Sequence, residues 1–406
     1  MRFSTCMSVE TPGAARREFA DGWHLVLAAA LAISVGTMGI GFYSLGLFVK
    51  PLQDEFGWSR AAVSGAATFQ QFGIFLSAPV VGLLADRFGM RRIAVTSYIA
   101  APLALVALAQ AGPSVTGWYA LWLLVSLAGC GTTPAIWARI VSMRFDKARG
   151  LALGLMLLGT GTSAVLAPAL LGPVFVDYGW RNAVLVMAAV TFLIGFPVSL
   201  MVQGEKAKAG TVPRTERGRF ERNRQTLILL VVGFLLGLFV AGLIVHFVPM
   251  LVDRGMPAGD AAQAAAAVGL AVIVARVVVG YLFDRFHAPY VAALFLLAPV
   301  FSAVLLWLGG PILPAALMLG LAAGAEVDML AYFTSRYAHL KNYGATYGTI
   351  LGLFCFGAGC GPILFGWSVD LTGNYDAALI ASAAALVIVV VLVAGLGGYL
   401  KEEPAQ

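Results

Sequence analysis

Apolar residues run through this chain in long blocks, and the polar residues fall between the blocks instead of alternating within them. A helix needs about 20 apolar residues to cross a hydrocarbon core roughly 30 Å thick. A window of that length fits twelve times, with a charged or turn-forming break after each. The pattern predicts helices over 24–49, 61–85, 92–111, 117–141, 148–175, 181–202, 225–252, 259–283, 288–309, 311–335, 343–369 and 375–400. One long polar stretch, 203–224 (QGEKAKAGTVPRTERGRFERNR), separates six helices from six. The chain therefore divides into a tail 1–23, a six-helix bundle 24–202, a linker 203–224, a second six-helix bundle 225–400 and a tail 401–406. The fold class expected is an all-α membrane protein of twelve transmembrane helices.

Composition sharpens this picture. With 60% hydrophobic residues, 11% charged residues and a mean hydropathy of +0.89, the chain lies far from the usage of a soluble globular domain. The net charge of +6 would suit nucleic acid if it were spread as a patch, but all but six of the 26 Lys and Arg residues lie in the tails, the linker and the loops of one side. The exceptions are Lys50, Arg60, Arg181 and Arg254 in the opposite loops, and Arg139 and Arg276 within helices. By the positive-inside rule both termini and the linker are expected to be cytoplasmic in a cell membrane, with lipid and not nucleic acid as the large partner. Of four cysteines, Cys6 lies in the tail and Cys130, Cys355 and Cys360 lie inside predicted helices, which suits packing better than a disulfide. ARREF near the N-terminus faintly resembles a twin-arginine export signal, but the apolar run after it is too long and lacks a small-residue cleavage site.

The two halves repeat one another. A shift of 198 residues pairs Pro51 with Pro249, Gly57 with Gly255, Gly82 with Gly280, and Asp86-Arg87-Phe88 with Asp284-Arg285-Phe286. Further on, a shift of 194 pairs Gly150 with Gly344, Gly154 with Gly348, Pro168 with Pro362, Gly172 with Gly366 and Gly179 with Gly373. Parallel six-helix repeats are an organisation used by carriers that rock around a site between the halves. GLLADRFGMRR (82–92) resembles the loop signature of the major facilitator superfamily, which implies that fold for nearly the whole chain. GFYSLGLFVKPLQDEFGWSRAAVSG (41–65), RFDKARGLALG (144–154) and GWRNA (179–183) are similar to the branch holding the oxalate:formate antiporters and the monocarboxylate transporters. The loop charges Asp86, Arg87 and Arg91, with Arg144, Arg149, Asp284 and Arg285, are the candidate cytoplasmic gate; solvated charges that only anchor topology are the alternative. Gly150 and Gly154, like Gly344, Gly348 and Gly352, recur every four residues and share a face that lets helices approach closely.

Within the apolar blocks one group of charges stands out. Arg276 lies eight residues from Asp284, and Asp328 eight residues from Arg336. Both are thus about 12 Å deep, with Glu326 about 15 Å deep. An isolated charge near the bilayer centre costs roughly 2.5 to 3.5 kcal/mol on insertion scales, so it normally faces a cavity or a partner. Arg276 pairs with Ala78 in the first copy, which carries no such charges; a residue needed only to build the six-helix unit would recur. Glu326 and Asp328 are rotated by about 200° along one helix and cannot play the same part. Asp328 shares a face with Tyr332 and is the candidate for the cavity, with Glu326 as a proton site or flanking partner. An internal salt bridge that only fixes packing is the alternative.

Arginine suits a carboxylate substrate because its planar fork donates two parallel hydrogen bonds and stays charged. Asp328 or Glu326 would neutralise it when the site is empty and take up a proton when a substrate anion displaces it. The resemblance implies the same role, since an arginine on the eighth helix is the anion-binding residue in both branches and Arg276 falls there. The oxalate transporter also has a lysine on the eleventh helix, where this chain reads GLFCFGAGCGPILFGW without a cation, which points to a monocarboxylate. His246 and Tyr43 are weaker substrate-site candidates in the outer half. The expected function is import of a small organic monocarboxylate with a proton, by a chain read as a monomer without cofactor or metal. A proton-driven exporter is the rival, although the Gly-Pro pair, Gly361-Pro362, lies on the eleventh helix and not on the fifth. A membrane enzyme or sensor lacks any phosphate loop, metal-ligand spacing or catalytic triad here.

Overall fold

The computed structural model describes residues 12–145, 149–202, 219–339 and 342–399. Its helices are α1 (Pro12–Ser34), α2 (Val49–Phe56), α3 (Arg60–Phe88), α4 (Met90–Leu108), α5 (Val115–Ala128), α6 (Pro134–Arg144), α7 (Arg149–Val190) and α8 (Phe196–Leu200) in the first half. The second half holds α9 (Arg224–Asp253), α10 (Ala258–Arg285), α11 (Ala288–Trp307), α12 (Ile312–Tyr337), α13 (Tyr343–Thr372) and α14 (Asp376–Ala394). No strand occurs among the described residues. Nine apolar runs there are long enough to span a bilayer. One of these, Ala152–Leu200, contains two crossings, and α3 and the pair α5–α6 supply the others.

The departures from the predicted helices have local causes. The first crossing breaks after Gly36 into a widened turn (Thr37–Gly41) and a tight one (Leu45–Phe48) before α2. The fourth breaks over Cys130–Thr132, just ahead of Pro134, which lacks the N–H a continuous helix would need and starts α6 at its first turn. The fifth and sixth crossings run on as α7, with a kink at Gly179, whose φ of 79° is left-handed. Its counterpart Gly373 has φ 76°, and the pair Gly57 and Gly255 have φ 67° and 89°. Only glycine takes that backbone without strain, so the duplication is written into the turns as well as the sequence. Asn223 opens α9 with a capping box shared with Thr226. Residues 1–11 and 400–406 of the tails, linker residues 203–218, and the side chains of Asp86, Arg149 and Asp284 lie outside the described residues.

Arg87, Arg91, Arg144, Arg285 and Arg336 gather at one end of the molecule, called here the basic face. The opposite end of the first bundle holds an aromatic cluster. Phe48 meets Trp118, Trp122 and Phe175 with ring centroids 5.5, 5.9 and 4.9 Å apart. Edge-to-face ring pairs of this kind contribute about 0.5–1.5 kcal/mol each beyond area burial. The indole N–H of Trp58 donates to the Pro113 carbonyl at 3.1 Å, and that of Trp180 donates to Glu55 at 2.6 Å, so the cluster is fixed in orientation as well as buried.

The halves meet along two seams, α3 against α13 and α7 against α10. At the opposite-face end both are tight. A Cβ on Gly366 would come within 2.5 Å of the Ala61 amide nitrogen, and one on Gly172 within 2.5 Å of the Ala262 Cβ. Gly161 lies as closely against Ile273. Steps of seven and eleven residues keep one helix face, so Gly154 continues the line of Gly161 and Gly172, and Gly348 that of Gly359 and Gly366. Among the described residues, neither Gly154 nor Gly348 has anything within 4 Å of such a Cβ. The seams therefore close at one end and part toward the basic face.

Candidate functional site

The site begins with two glycines. Gly320 and Gly324 on α12 lie on the backbone of α10, a Cβ on Gly324 being 2.5 Å from the Val272 carbonyl and 2.8 Å from the Ala275 Cβ. That approach brings the next turn of each helix together. Arg276 Nη1 donates to Asp328 Oδ2 at 3.5 Å, the side chains being 11% and 36% exposed. One long hydrogen bond leaves most of the guanidinium fork uncommitted: among the described residues the buried Nε has no partner. Glu326, on another face of α12, is buried, and its Oε2 likewise has no partner there. Both Arg276 and Asp328 lie within electrostatic reach of Glu326. The predicted cation and carboxylates thus come together in one layer.

Arg276 lies where the closed part of the seam ends. On the same helix Ile273 touches Gly161 of α7, whereas Gly280, one turn beyond Arg276, has nothing among the described residues within 4 Å of an added Cβ. The site is therefore approached from the basic face.

Tyr43, at the break between α1 and α2, lies within electrostatic reach of Arg276 and Glu326 although it belongs to the other half. It lines a small cavity of about 20 Å³ on the opposite-face side of Arg276, together with Phe42, Leu47, Pro168, Ile244 and Phe247. Side chains on a helix lean toward its N-terminus, and α10 begins at the opposite face, so the guanidinium leans toward this cavity. Arg276 is not in its wall.

The structure places the other predicted residues elsewhere. Tyr332 donates to the Phe283 carbonyl at 3.2 Å and accepts from Arg336 at 3.2 Å, which draws its hydroxyl toward the basic face. His246 is buried near the opposite face, bonded to Ser64, Tyr375 and the Pro362 carbonyl. Of the predicted gate, Arg87, Arg144 and Arg285 rest on the rings of Phe88, Phe145 and Tyr281, and Arg91 is exposed. Asp86, Arg149 and Asp284, which would complete that gate, lie outside the described side chains. Sequence reasoning missed Arg60, Asp253, Asp370 and Tyr375, which join the halves at the opposite face. The isolation of Arg60 among so few opposite-side cations was the one signal that could have found them.

Comparison with known proteins places this geometry. The family model of the Major Facilitator Superfamily matches residues 31–362. Human Monocarboxylate transporter 11 is 27% identical over 391 residues, covering 89% of this chain and 80% of that protein. Monocarboxylate transporter 13 of Bos taurus is 29% identical over 389 residues, covering 90% and 87%. Among solved structures, the nucleoside transporter NupG superposes with a TM-score of 0.77 at 13% identity, over 92% of this chain and 99% of that one. A bacterial homologue of the human lysosomal transporter Spinster, in an inward-facing and unoccupied conformation, superposes with a TM-score of 0.68 at 17% identity, over 95% and 97%. These two likenesses carry the fold alone.

Proposed function

The chain belongs to the Major Facilitator Superfamily, and from that premise we propose that it imports a small organic monocarboxylate together with a proton across the cytoplasmic membrane by alternating access. The observation that carries this reading is the Arg276–Asp328 pair, part-buried between α10 and α12 with the rest of the guanidinium free to bind two oxygens. The similarity to monocarboxylate transporters supports the same substrate class. The basic face is assigned to the cytoplasm, so the molecule described here is open inward.

In this cycle Asp328 neutralises Arg276 while the site is empty. An incoming carboxylate takes over the fork with two parallel hydrogen bonds, and the displaced Asp328 is left unpaired in a poorly solvated layer, where it takes up a proton. Anion and proton then cross together with no net charge on the pair. Glu326, already without a partner on Oε2, is the second proton site and exchanges with Asp328 across the field of Arg276. The body of the acid is directed toward the small cavity beside Tyr43. Its walls are apolar apart from that phenol, which favours an acid whose remainder is hydrocarbon.

Uptake of labelled carboxylates into proteoliposomes, with and without an inward proton gradient, tests the proposal. Wild type is expected to concentrate monocarboxylates only with the gradient, Arg276→Lys to lose uptake, and Asp328→Asn to retain binding while uptake no longer follows pH. Unchanged transport in both variants would remove the site from the mechanism.

A further inference from the structure

At the opposite face, one chain of hydrogen bonds crosses between the bundles several times. Arg60, the first residue of α3, forms a two-pronged pair with Asp253, the last of α9, at 2.6 and 2.7 Å. Its Nη1 also donates to the Tyr375 hydroxyl at 3.1 Å. Asp370 of α13 accepts the backbone N–H groups of Arg60 and Ala61, at 3.0 Å each, and so caps a helix of the other half. Tyr375 in turn reaches His246 Nδ1 at 3.0 Å. On the far side of the ring, Nε2 lies 2.8 Å from the Pro362 carbonyl and 3.0 Å from Ser64 Oγ on α3.

The directions of these bonds are forced. Guanidinium can only donate, so the Tyr375 oxygen accepts from Arg60 and its single proton goes to His246 Nδ1. A carbonyl can only accept, so Nε2 carries the ring proton toward Pro362. The closed arrangement thus requires a neutral His246 in one tautomer. A second proton at Nδ1 would turn that acceptor into a donor, and imidazolium and guanidinium would then converge on one phenol oxygen whose own proton has lost its acceptor. A phenol keeps its proton across the physiological range and cannot relieve the conflict. Nor do the surrounding charges. Arg60 on α3 opposes a second cation, Asp253 on α9 is already paired with Arg60, and Asp370 on α13 is engaged with the α3 amides.

We propose that His246 is a proton-binding site of the outer gate, whose neutral form bolts the two bundles together through Tyr375 and Arg60 and whose protonation releases them. The inference rests on the alternating-access reading above but not on the identity of the cargo. The sign follows from the bond directions. Falling external pH protonates His246 and favours opening to the outside, and rising pH restores the bolt. External acid would then open the gate on the side from which the proposed proton enters.

The test needs no substrate. Gln110 and Leu308 are exposed at the outer ends of the two bundles. Spin labels on Gln110→Cys and Leu308→Cys, in a chain whose four native cysteines are replaced, report their separation by electron–electron double resonance. In the parent protein the long-distance population is expected to rise at least about threefold between about pH 8 and about pH 5. His246→Gln can still donate to Pro362 and accept from Tyr375 but cannot titrate, so it should stay short at both pH values. Tyr375→Phe breaks the chain and should show the long population already at about pH 8. A pH response in His246→Gln equal to that of the parent, or none in the parent, overturns the proposal. Should His246→Gln give no short population at any pH, Tyr375→Phe decides: closed at neutral pH, it overturns the bolt. Opening driven by pH in a protein that transports no carboxylate would sink the cargo assignment and keep the gate.

Discussion

The two ends of the bundle interface are built from the same helices and behave oppositely. At the opposite-face end, Gly172 and Gly366 bring α7 onto α10 and α13 onto α3, and Arg60, Asp370 and His246 add directed polar bonds across the join. At the basic-face end, Gly154 and Gly348 continue those helix faces and, among the described residues, meet nothing within 4 Å. The difference shows that small residues do not by themselves hold a seam shut. They permit contact, and which end makes it is decided by bonds elsewhere. A carrier needs both ends to be able to close, so the idle glycines read as the contact surface of the other state.

Arg276 lies at the boundary between the two ends, and its variant is the most severe way to break the comparison. Arg276→Lys keeps the charge and the helix packing but loses the fork; monocarboxylate uptake should fall by about 100-fold. The thermal midpoint should be unchanged, and a purely structural bridge would reverse that pattern. Next in size is Gly154→Leu. A side chain there has room in the state described, so stability should hold, but it blocks inner closure, and turnover should fall about tenfold or more. Gly366→Leu is the contrasting variant: its side chain would meet the backbone of Arg60 and Ala61, so the expected loss is in stability, about 1–3 kcal/mol by chemical or thermal unfolding in detergent. Equal effects from Gly154→Leu and Gly366→Leu would erase the distinction between the ends. The smallest effect is expected from Arg181→Ala. Arg181 pairs with Glu55 at 2.6 Å within one bundle, with both side chains more than a third exposed, and an exposed pair contributes about 0–1 kcal/mol. Uptake should be unaffected, since this pair crosses no seam.

Much of this was legible beforehand. The crossings follow from block length, the repeat from paired glycines and the Asp-Arg-Phe triplets, and the layer holding Arg276, Glu326 and Asp328 from counting residues inward along single helices. Each of these is a local property, readable because helix rise is constant and a charge in lipid must be answered for. Tyr332 shows where local reading stops. Four residues from Asp328 it shares a helix face, yet its hydroxyl bonds Phe283 and Arg336 toward the basic face, because partners on α10 and one turn further along α12 outcompete the cavity. His246 shows the same limit, since its partners Ser64, Pro362 and Tyr375 lie 182, 116 and 129 residues away.

What the sequence alone determined is what periodicity and solvation enforce: the number of crossings, their duplication, the uneven spread of basic loops and the single charged layer in the second half. Only the tertiary structure decided which end of the seam is closed, which acid pairs with Arg276 and what His246 holds together. Those depend on contacts between residues far apart in the chain, whose energies differ by a few hydrogen bonds between two arrangements of the same helices. A pattern read along one strand of sequence is the same in both arrangements, so it cannot choose between them.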